Sequence, residues 1–231
     1  MDLETLGILN EERAARRAVL LATRLKSGSQ VLVKESELDG SGALTESYRK
    51  AFRRGKSGVV EEGGEEVFLN VFVPPPRLVV IGAVHISQAL YPMARAAGFD
   101  VTIIDPRTAF ATPERFPDVN LLTEWPDKVL PRLGVDRYTA LATLTHDPKI
   151  DDPALIHALN TDCFYVGALG SQKTHGRRVE RLKQAGLSEA RIGRIHAPIG
   201  LDIGAVSPAE IAVAVLAEIT AALRLGPEAA S

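Results

Sequence analysis

Thr145, His146 and Asp147 place a hydroxyl, an imidazole and a carboxylate on consecutive residues, and Asp151 and Asp152 follow shortly after. An imidazole beside carboxylates can exchange protons with a bound molecule or hold a metal ion. No second histidine lies at metal-site spacing, so we expect no metal here. We take His146 and Asp147 as candidate catalytic groups, and Thr145 and His146 as candidate cofactor contacts. The structural alternative is that Asp147 or Asp151 caps the next helix while His146 hydrogen-bonds to the backbone.

An anion-binding loop is predicted where the apolar run Leu-Val-Val-Ile ends at Gly82. At such a strand-to-helix turn, unpaired backbone N–H groups and the positive end of the helix dipole face the same point. The pattern G-x-G-x-x-G is incomplete, because Val84 stands at the second glycine position and Ser87 at the third. We expect Gly82, Ala83 and His85 to contact the ligand, with His85 replacing the close backbone approach of the missing glycine.

Asp105 follows Gly82 by 23 residues, at the end of the apolar run Val-Thr-Ile-Ile, and Arg107 comes shortly after. A carboxylate at this place can accept hydrogen bonds from a ribose, and an arginine can bind a phosphate or a pterin group. The alternative is that Asp105 only caps a helix. We therefore expect Asp105 and Arg107 to be ligand contacts, with plain capping as the competing interpretation.

A second glycine turn, from Gly167 to Gly170, leads through Ser171 into a helical segment that carries Lys173 in its first turn. Backbone donors combined with cations favour an anion, although the spacing is not that of a P-loop. We expect these four residues to contact a ligand. The alternative is ordinary turn chemistry without a ligand.

The glycine-rich segment 196–204 is predicted to be an irregular loop. Such loops on a rigid scaffold often line binding sites, so Gly200 and Asp202 join the candidate contacts. A tight connection whose glycines serve only the backbone is the alternative. Cys163 lies inside an apolar run and is expected to be a core residue rather than a nucleophile.

Composition argues against several classes of protein. The formal net charge of −2 and the isoelectric point near 6.2 argue against a nucleic-acid binder. A single cysteine excludes internal disulfides and multi-cysteine zinc sites. No run approaches the ~20 apolar residues of a membrane helix, and the acidic start shows no secretion signal. We therefore expect a cytoplasmic protein that binds neither nucleic acid nor membranes.

Residues 1–75 are expected to form a small N-terminal α/β domain. Helical and alternating hydrophobic patterns predict its elements: helices at 3–26 and 44–54, a strand at 30–34, a turn at 39–42 and an edge strand at 65–73. Three prolines, Pro74 to Pro76, can continue neither a helix nor a strand ladder. They mark the expected domain boundary.

Residues 76–231 alternate apolar strands with helical segments, which predicts an α/β fold with a Rossmann-like, doubly wound parallel sheet. Strands are expected at 77–82, 100–104, 119–123, 139–145, 162–167 and 192–196, and helices at 86–97, 126–133, 152–160, 173–185 and 208–224. In such sheets ligands bind beyond the carboxyl ends of the strands, where the strand order reverses. The polar, glycine-rich candidates all fall after predicted strands, so we expect them to share one crevice.

Taken in order, these segments resemble the XdhC/CoxI family, the accessory proteins of xanthine dehydrogenase and related molybdenum hydroxylases. The resemblance spans roughly residues 77–225 and is carried by Gly82-Ala83 with His85, Asp105-Pro-Arg107, Glu114-Arg-Phe-Pro117, Thr145-His-Asp147, Gly167 with Gly170-Ser171, and Pro198-Ile-Gly-Leu-Asp202 through Glu210-Ile211. It implies a Rossmann-like domain that binds molybdenum cofactor, as molybdopterin or its cytosine dinucleotide form. It also implies protection of that cofactor during sulfuration by a cysteine desulfurase, and transfer to the large subunit of a hydroxylase.

The first seventy-odd residues depart from the family pattern, because the Gly-Ser-x-Ser-Gly-Gly-Cys segment expected there is missing. We therefore expect a short relative of the family, which forms a homodimer or lends its scaffold to a partner. Two other functions stay open. One is an NAD(P)-dependent oxidoreductase with Asp105 on the ribose and His146 as proton donor. The other is a scaffold that docks the hydroxylase through its N-terminal helix and the basic face 49–56 without binding a cofactor.

Overall fold

A computed structural model describes residues 2–39 and 42–226 of the chain. The chain divides into two compact units, Met1–Pro74 and Pro75–Ser231. The predicted turn at 39–42 includes residues 40 and 41, which lie outside the described residues. Among the described residues, no helix is both long and apolar enough to cross a membrane.

The first unit contains an antiparallel sheet of four strands in the order β2-β1-β4-β3 together with two α-helices. Its elements are α1 (Leu3–Ala14), β1 (Val19–Arg24), β2 (Gln30–Lys34), a 3-10 turn (Glu35–Glu37), α2 (Ala43–Arg54), β3 (Gly58–Glu62) and β4 (Glu65–Phe72). Strands β3 and β4 form a hairpin around Gly63 and Gly64, which both have positive φ. Two such residues are what a tight hairpin turn requires.

Two predictions for this unit are wrong. The predicted helix at 3–26 ends at Ala14, and Val19–Arg24 is strand β1 instead. The first four residues of β1 are all buried, and a strand covered on both faces has no alternation that would distinguish it from a helix. Strand β4 is not an edge strand, because the unpredicted strand β3 pairs with it on the side away from β1.

The second unit contains a parallel sheet of six strands in the order β7-β6-β5-β8-β9-β10. Numbered from the first strand of this unit, that order is 3-2-1-4-5-6, the order of the dinucleotide-binding Rossmann fold. The predicted α/β fold class is confirmed. The strands are β5 (Arg77–Ile81), β6 (Asp100–Ile104), β7 (Asn120–Leu122), β8 (Thr139–Thr143), β9 (Tyr165–Ala168) and β10 (Ile195–His196).

Helices cover both faces of this sheet, because its strands carry apolar residues toward each side. They are α3 (His85–Ala96), α4 (Pro126–Leu133), α5 (Pro148–Leu159), α6 (Gln172–Gln184), α7 (Glu189–Ile192) and α8 (Pro208–Leu225). Leu78 and Val80 of β5 pack into the layer that includes α3 and α8, and Val79 and Ile81 into the layer that includes α4 and α5. A strand buried on both faces is typical of parallel sheets.

The helix α5 begins four residues before its predicted start at 152, because Asp147 accepts a hydrogen bond from the N–H of Lys149 and caps it. Strand β9 begins at Tyr165 rather than at 162. The loop after β8 spans residues 144–147 and the loop after β9 spans residues 169–171, and both lie at the carboxyl edge of the sheet.

Candidate functional site

The loops after β5 and β8 touch at the point where the strand order reverses. Gly82 ends β5 with φ +119°, and a Cβ added there would lie 2.8 Å from Cγ2 of Thr145 and 3.3 Å from its backbone nitrogen. Glycine is therefore needed here both for its backbone conformation and for the close approach of the second loop. The two predicted segments are direct neighbours.

Gly82→Ala is expected to lower the free energy of unfolding by about 2 kcal/mol, because it adds backbone strain and a contact with Thr145. The control is Gly98→Ala, since Gly98 also has positive φ but would have no atom within 4 Å of its Cβ. Urea unfolding of both variants isolates the contact. Equal losses for the two variants would show that the contact with Thr145 contributes nothing.

The predicted anion-binding loop at Gly82, which leads into α3, is held in place by the side chains of Asp105 and Arg115. The N–H of Ala83 donates to Asp105 Oδ2 at 2.8 Å, and Nη1 of Arg115 donates to the carbonyl of Ala83 at 3.0 Å. No side chain caps the helix at Val84, and His85 is exposed in its first turn. The later N–H groups of that turn keep the positive end of the helix dipole available to an anion.

The carboxylate of Asp105 is fully buried and already hydrogen-bonded to Arg107. Its carboxylate accepts from Nε, Nη2 and the backbone N–H of Arg107 at 2.9, 2.7 and 3.0 Å, in addition to the N–H of Ala83. Burial alone would raise the pKa of Asp105, but the hydrogen bonds from Arg107 and Ala83 hold it below its ordinary value. Arg107 in turn lies over the ring of Phe110, 4.7 Å from its centre. A ribose could reach this carboxylate only by displacing Arg107.

His146 belongs to the loop after β8 and lies close to Gly170 in the loop after β9. It has φ +63°, a left-handed conformation that is uncommon outside glycine and is concentrated at functional sites. A Cβ on Gly170, which has φ +125°, would lie 3.6 Å from Nδ1 of His146. Desolvation by the surrounding residues and the charge of Arg178 lower the pKa of His146. The residue as a whole is exposed to solvent, and its lowered pKa favours the neutral imidazole at pH 7.

The other predicted contacts near His146 have structural roles or lie at the surface. Asp147 caps α5, and Ser171 caps α6 by accepting from the N–H of Thr174. Lys173 is exposed in the first turn of α6, which contains no acidic residue. Gly167 is buried inside β9, where a Cβ would lie 2.6 Å from Tyr165 Oη and from Ile199 Cδ1, so it serves packing.

A pocket of about 620 Å³ opens beyond the carboxyl ends of β8 and β9. Four predicted contacts line it: His146, Gly170, Gly200 and Asp202. Apolar side chains such as Ile203 and Ile211 complete the wall. A concave, mostly apolar site with a few polar groups is typical of cofactor pockets, and this volume lies in their usual range. The other nine predicted contacts do not line this pocket: Gly82, Ala83, His85, Asp105, Arg107, Thr145, Gly167, Ser171 and Lys173.

A buried network behind the pocket was missed from the sequence. The carboxylate of Glu218 on α8 accepts from the Tyr165 hydroxyl, from the N–H of Gly200 at 2.7 Å, and from His196 Nδ1 at 3.3 Å. The rings of Tyr165 and His196 stack with their centres 4.6 Å apart. Burial would raise the pKa of Glu218, but these hydrogen bonds hold it below its ordinary value. The network fixes Gly200 in the wall of the pocket.

The strand order and the glycine turns at the switch point define a protein of the Rossmann fold class, with a pocket at the strand ends where such folds bind their ligands. Among the described residues, no three His, Cys, Asp or Glu side chains gather as a metal site would require. The family model described as the XdhC Rossmann domain matches residues 78–219. The chain belongs to the XdhC family, and the resemblance noted from its motifs is confirmed.

Three curated relatives share about a third of their aligned residues with this chain. They are an uncharacterized protein YqeB of Escherichia coli (34% identical over 161 residues, 68% of this chain and 29% of the relative), a probable xanthine dehydrogenase subunit of Bacillus subtilis (32% over 154 residues, 66% and 44%), and the molybdenum cofactor insertion chaperone PaoD of Escherichia coli (32% over 157 residues, 68% and 43%). In each case, the aligned region spans less than half of the relative's length.

A crystal structure of a xanthine dehydrogenase from Bacillus halodurans has a similar fold, with a TM-score of 0.65 at 24% sequence identity. The match covers 97% of this chain and 66% of that one. At this level of identity the likeness concerns the fold alone.

Proposed function

We propose that this protein binds molybdenum cofactor, as molybdopterin or its cytosine dinucleotide form, and assists its sulfuration and insertion into a xanthine dehydrogenase or CO dehydrogenase-type molybdenum hydroxylase. Membership of the XdhC family supports this, as do relatives named as a cofactor insertion chaperone and as part of a xanthine dehydrogenase. The proposed partners are a cysteine desulfurase and the large subunit of the hydroxylase. A homodimer and a cytoplasmic location belong to the same proposal.

The pocket beyond β8 and β9 carries the proposal. It combines positive-φ glycines, which let a ligand approach the backbone, with the mostly neutral imidazole of His146. At its edge α6 begins without any acidic residue, with Ser171 as cap and Lys173 exposed. A helix start with a nearby cation is a binding site for phosphate. Asp202 lines the pocket wall, and its carboxylate can accept hydrogen bonds from the amino group of a pterin.

The donor set fits the organic part of the cofactor better than its metal. The single cysteine, Cys163, is buried in the hydrophobic layer beneath α5 and does not line this pocket. Burial raises the pKa of its thiol, which keeps it protonated and a poor metal ligand. We therefore assign the phosphate to the start of α6 and the pterin to the pocket wall. When bound, the cofactor supplies the molybdenum chemistry that its client enzyme uses.

The alternative functions make different demands on the same residues. An NAD(P)-dependent oxidoreductase needs Asp105 for the ribose, and both oxygens of that carboxylate already bind Arg107. A docking scaffold that acts through α1 and the basic face 49–56 leaves the pocket without a role. Binding measurements therefore distinguish the three functions.

Lys173→Glu is expected to weaken cofactor binding roughly tenfold, because it replaces a cation at the phosphate end with an anion. The purified protein is mixed with molybdopterin or its cytosine dinucleotide form, and the retained cofactor is measured after gel filtration. Lys183→Glu, at the opposite end of α6, is the control, since it changes the net charge equally without approaching the pocket.

Native protein that retains neither form of the cofactor would exclude the proposed function. Micromolar binding of NAD(H) or NADP(H) by calorimetry would instead support the oxidoreductase. Normal maturation of the hydroxylase by a variant that has lost cofactor binding would support the scaffold.

A further inference from the structure

Two opposite charges are buried behind the loop after β8, which contains His146, and the loop after β9. Asp151 on α5 and Arg178 on α6 are each only 2% exposed. Within the described part of the chain, Asp151 Oδ2 and Arg178 Nε and Nη1 have no hydrogen-bond partner. Burying a charge without full hydrogen bonding is unfavourable, so a pair with unpartnered atoms is retained at a cost in stability.

Each charge holds one of the two loops with its remaining atoms. Asp151 Oδ1 accepts from the hydroxyl of Thr145 at 2.8 Å, in the loop after β8. Arg178 Nη2 donates to the carbonyl of Leu169 at 2.8 Å, in the loop after β9. Thr145 directly precedes His146, and Leu169 directly precedes Gly170, which lies against the His146 ring. The two charges therefore act on opposite walls of the same site.

The two charges also attract each other without direct contact. The charge of Arg178 lowers the pKa of Asp151, opposing the larger effect of burial, and the charge of Asp151 raises that of Arg178 against the same effect. Inside a protein such an attraction acts over several ångströms because water does not screen it. It draws the loop of Thr145 and the loop of Leu169 toward one another.

Fastening α5 to α6 does not require this buried pair. The neighbouring pair Asp152–Arg181 already joins the two helices directly, with hydrogen bonds of 2.5 and 3.0 Å near the surface. Asp151 and Arg178 are more deeply buried than that pair and bind loops rather than each other. Both residues thus hold loops that adjoin His146.

We propose that Asp151 and Arg178 are a positioning pair, which sets the separation of the Thr145 and Leu169 loops and thereby places His146 in the pocket. This inference rests on the proposed function only in taking the pocket as the ligand site. The positioning itself is a property of the protein without ligand. It is therefore measurable whether or not molybdenum cofactor binds.

The test follows backbone amide signals by NMR in the ligand-free full chain. Arg178→Met is expected to shift the signals of residues 145–147, and Asp151→Asn those of residues 169–171. Each variant thus perturbs the loop held by the other residue. Arg178→Met is also expected to raise the pKa of His146, because the cationic charge that lowers it is gone. Arg178→Lys, which keeps the charge, is expected to restore the signals of 145–147.

Asp152→Asn and Arg181→Met are the matched controls, because they break the neighbouring direct pair on the same helices. Shifts confined to the loop that each mutated residue itself contacts would overturn the proposal, as would equal cross-loop shifts in the controls. If Arg178→Met does not fold, Asp151→Asn alone decides, and unchanged signals at 169–171 would overturn the proposal. With the cofactor, about tenfold weaker retention is expected in either variant of the pair. Absence of retention by native protein counts against the proposed function and leaves the NMR result intact.

Discussion

Replacing Glu218 with alanine is expected to lower the free energy of unfolding by about 4 kcal/mol. The carboxylate is buried and serves three groups at once: the Tyr165 hydroxyl, the Gly200 N–H and the His196 ring. Its removal leaves all three without their acceptor and opens a cavity under α8. Urea unfolding monitored by circular dichroism measures the loss.

Two further variants make this result specific to the network. Glu218→Gln keeps the shape and one acceptor oxygen, so about half of the loss is expected. Thr220→Ala lies on the same helix but removes only an exposed hydroxyl that bonds the Leu216 carbonyl, and is expected to change stability by less than about 0.5 kcal/mol. A loss below about 1 kcal/mol for Glu218→Ala would mean that the three donors find other partners.

The pH dependence of stability should carry a large contribution from Asp151. Burial raises its pKa from the ordinary 3.8 to about 6 in the folded protein, against weaker opposing effects of Thr145 and Arg178. Between these values the unfolded chain gives up its proton while the folded chain keeps it. Stability from this group is therefore greatest below pH 4, falls as the pH rises toward 6, and stays lower above it. The difference amounts to about 3 kcal/mol.

Asp151→Asn is expected to remove this part of the pH dependence. Between pH 4 and pH 7 the native protein should lose about 2.5 kcal/mol more stability than the variant, measured by urea unfolding at each pH. Thr145→Val removes the hydroxyl that donates to Asp151, so the pKa of Asp151 should rise further and the fall in stability should extend to higher pH. Parallel curves for native protein and Asp151→Asn would contradict the assignment.

The fold of the second unit could be predicted because its signals are local. Apolar runs that end at Gly82, near Asp105 and before Thr145 indicate buried parallel strands, and the connecting segments have helical spacing. The first unit was harder to predict, because there the local pattern does not distinguish a strand from a helix. Strand β1 is central and covered on both faces, so its apolar residues continued the spacing of α1 without an alternation to separate them.

In the candidate site, too, the residues with a local sequence signal could be predicted and the others could not. Residues that directly follow strands, such as His146 and Gly170, could be found because parallel strands deliver their ends to one edge. Arg178 and Glu218 could not, because which charged helix residues turn inward depends on how α6 and α8 pack. One signal was available for Glu218, since it is an isolated acid within the apolar stretch of α8. For Arg178, on a helix rich in charge, the sequence offers no comparable sign.

The ion pair between Asp105 and Arg107 has a consequence for ligand choice in a cell. A guanidinium tethered two residues from the carboxylate is a competitor that never diffuses away, so its effective concentration is high whatever the surrounding solution contains. Abundant nicotinamide dinucleotides, which depend on that carboxylate, must overcome this competition each time they enter. A ligand anchored at His146 and the start of α6 does not meet it. Under the proposed function, the Asp105–Arg107 pair therefore disfavours ligands that need this carboxylate and leaves the pocket beyond β8 and β9 unaffected.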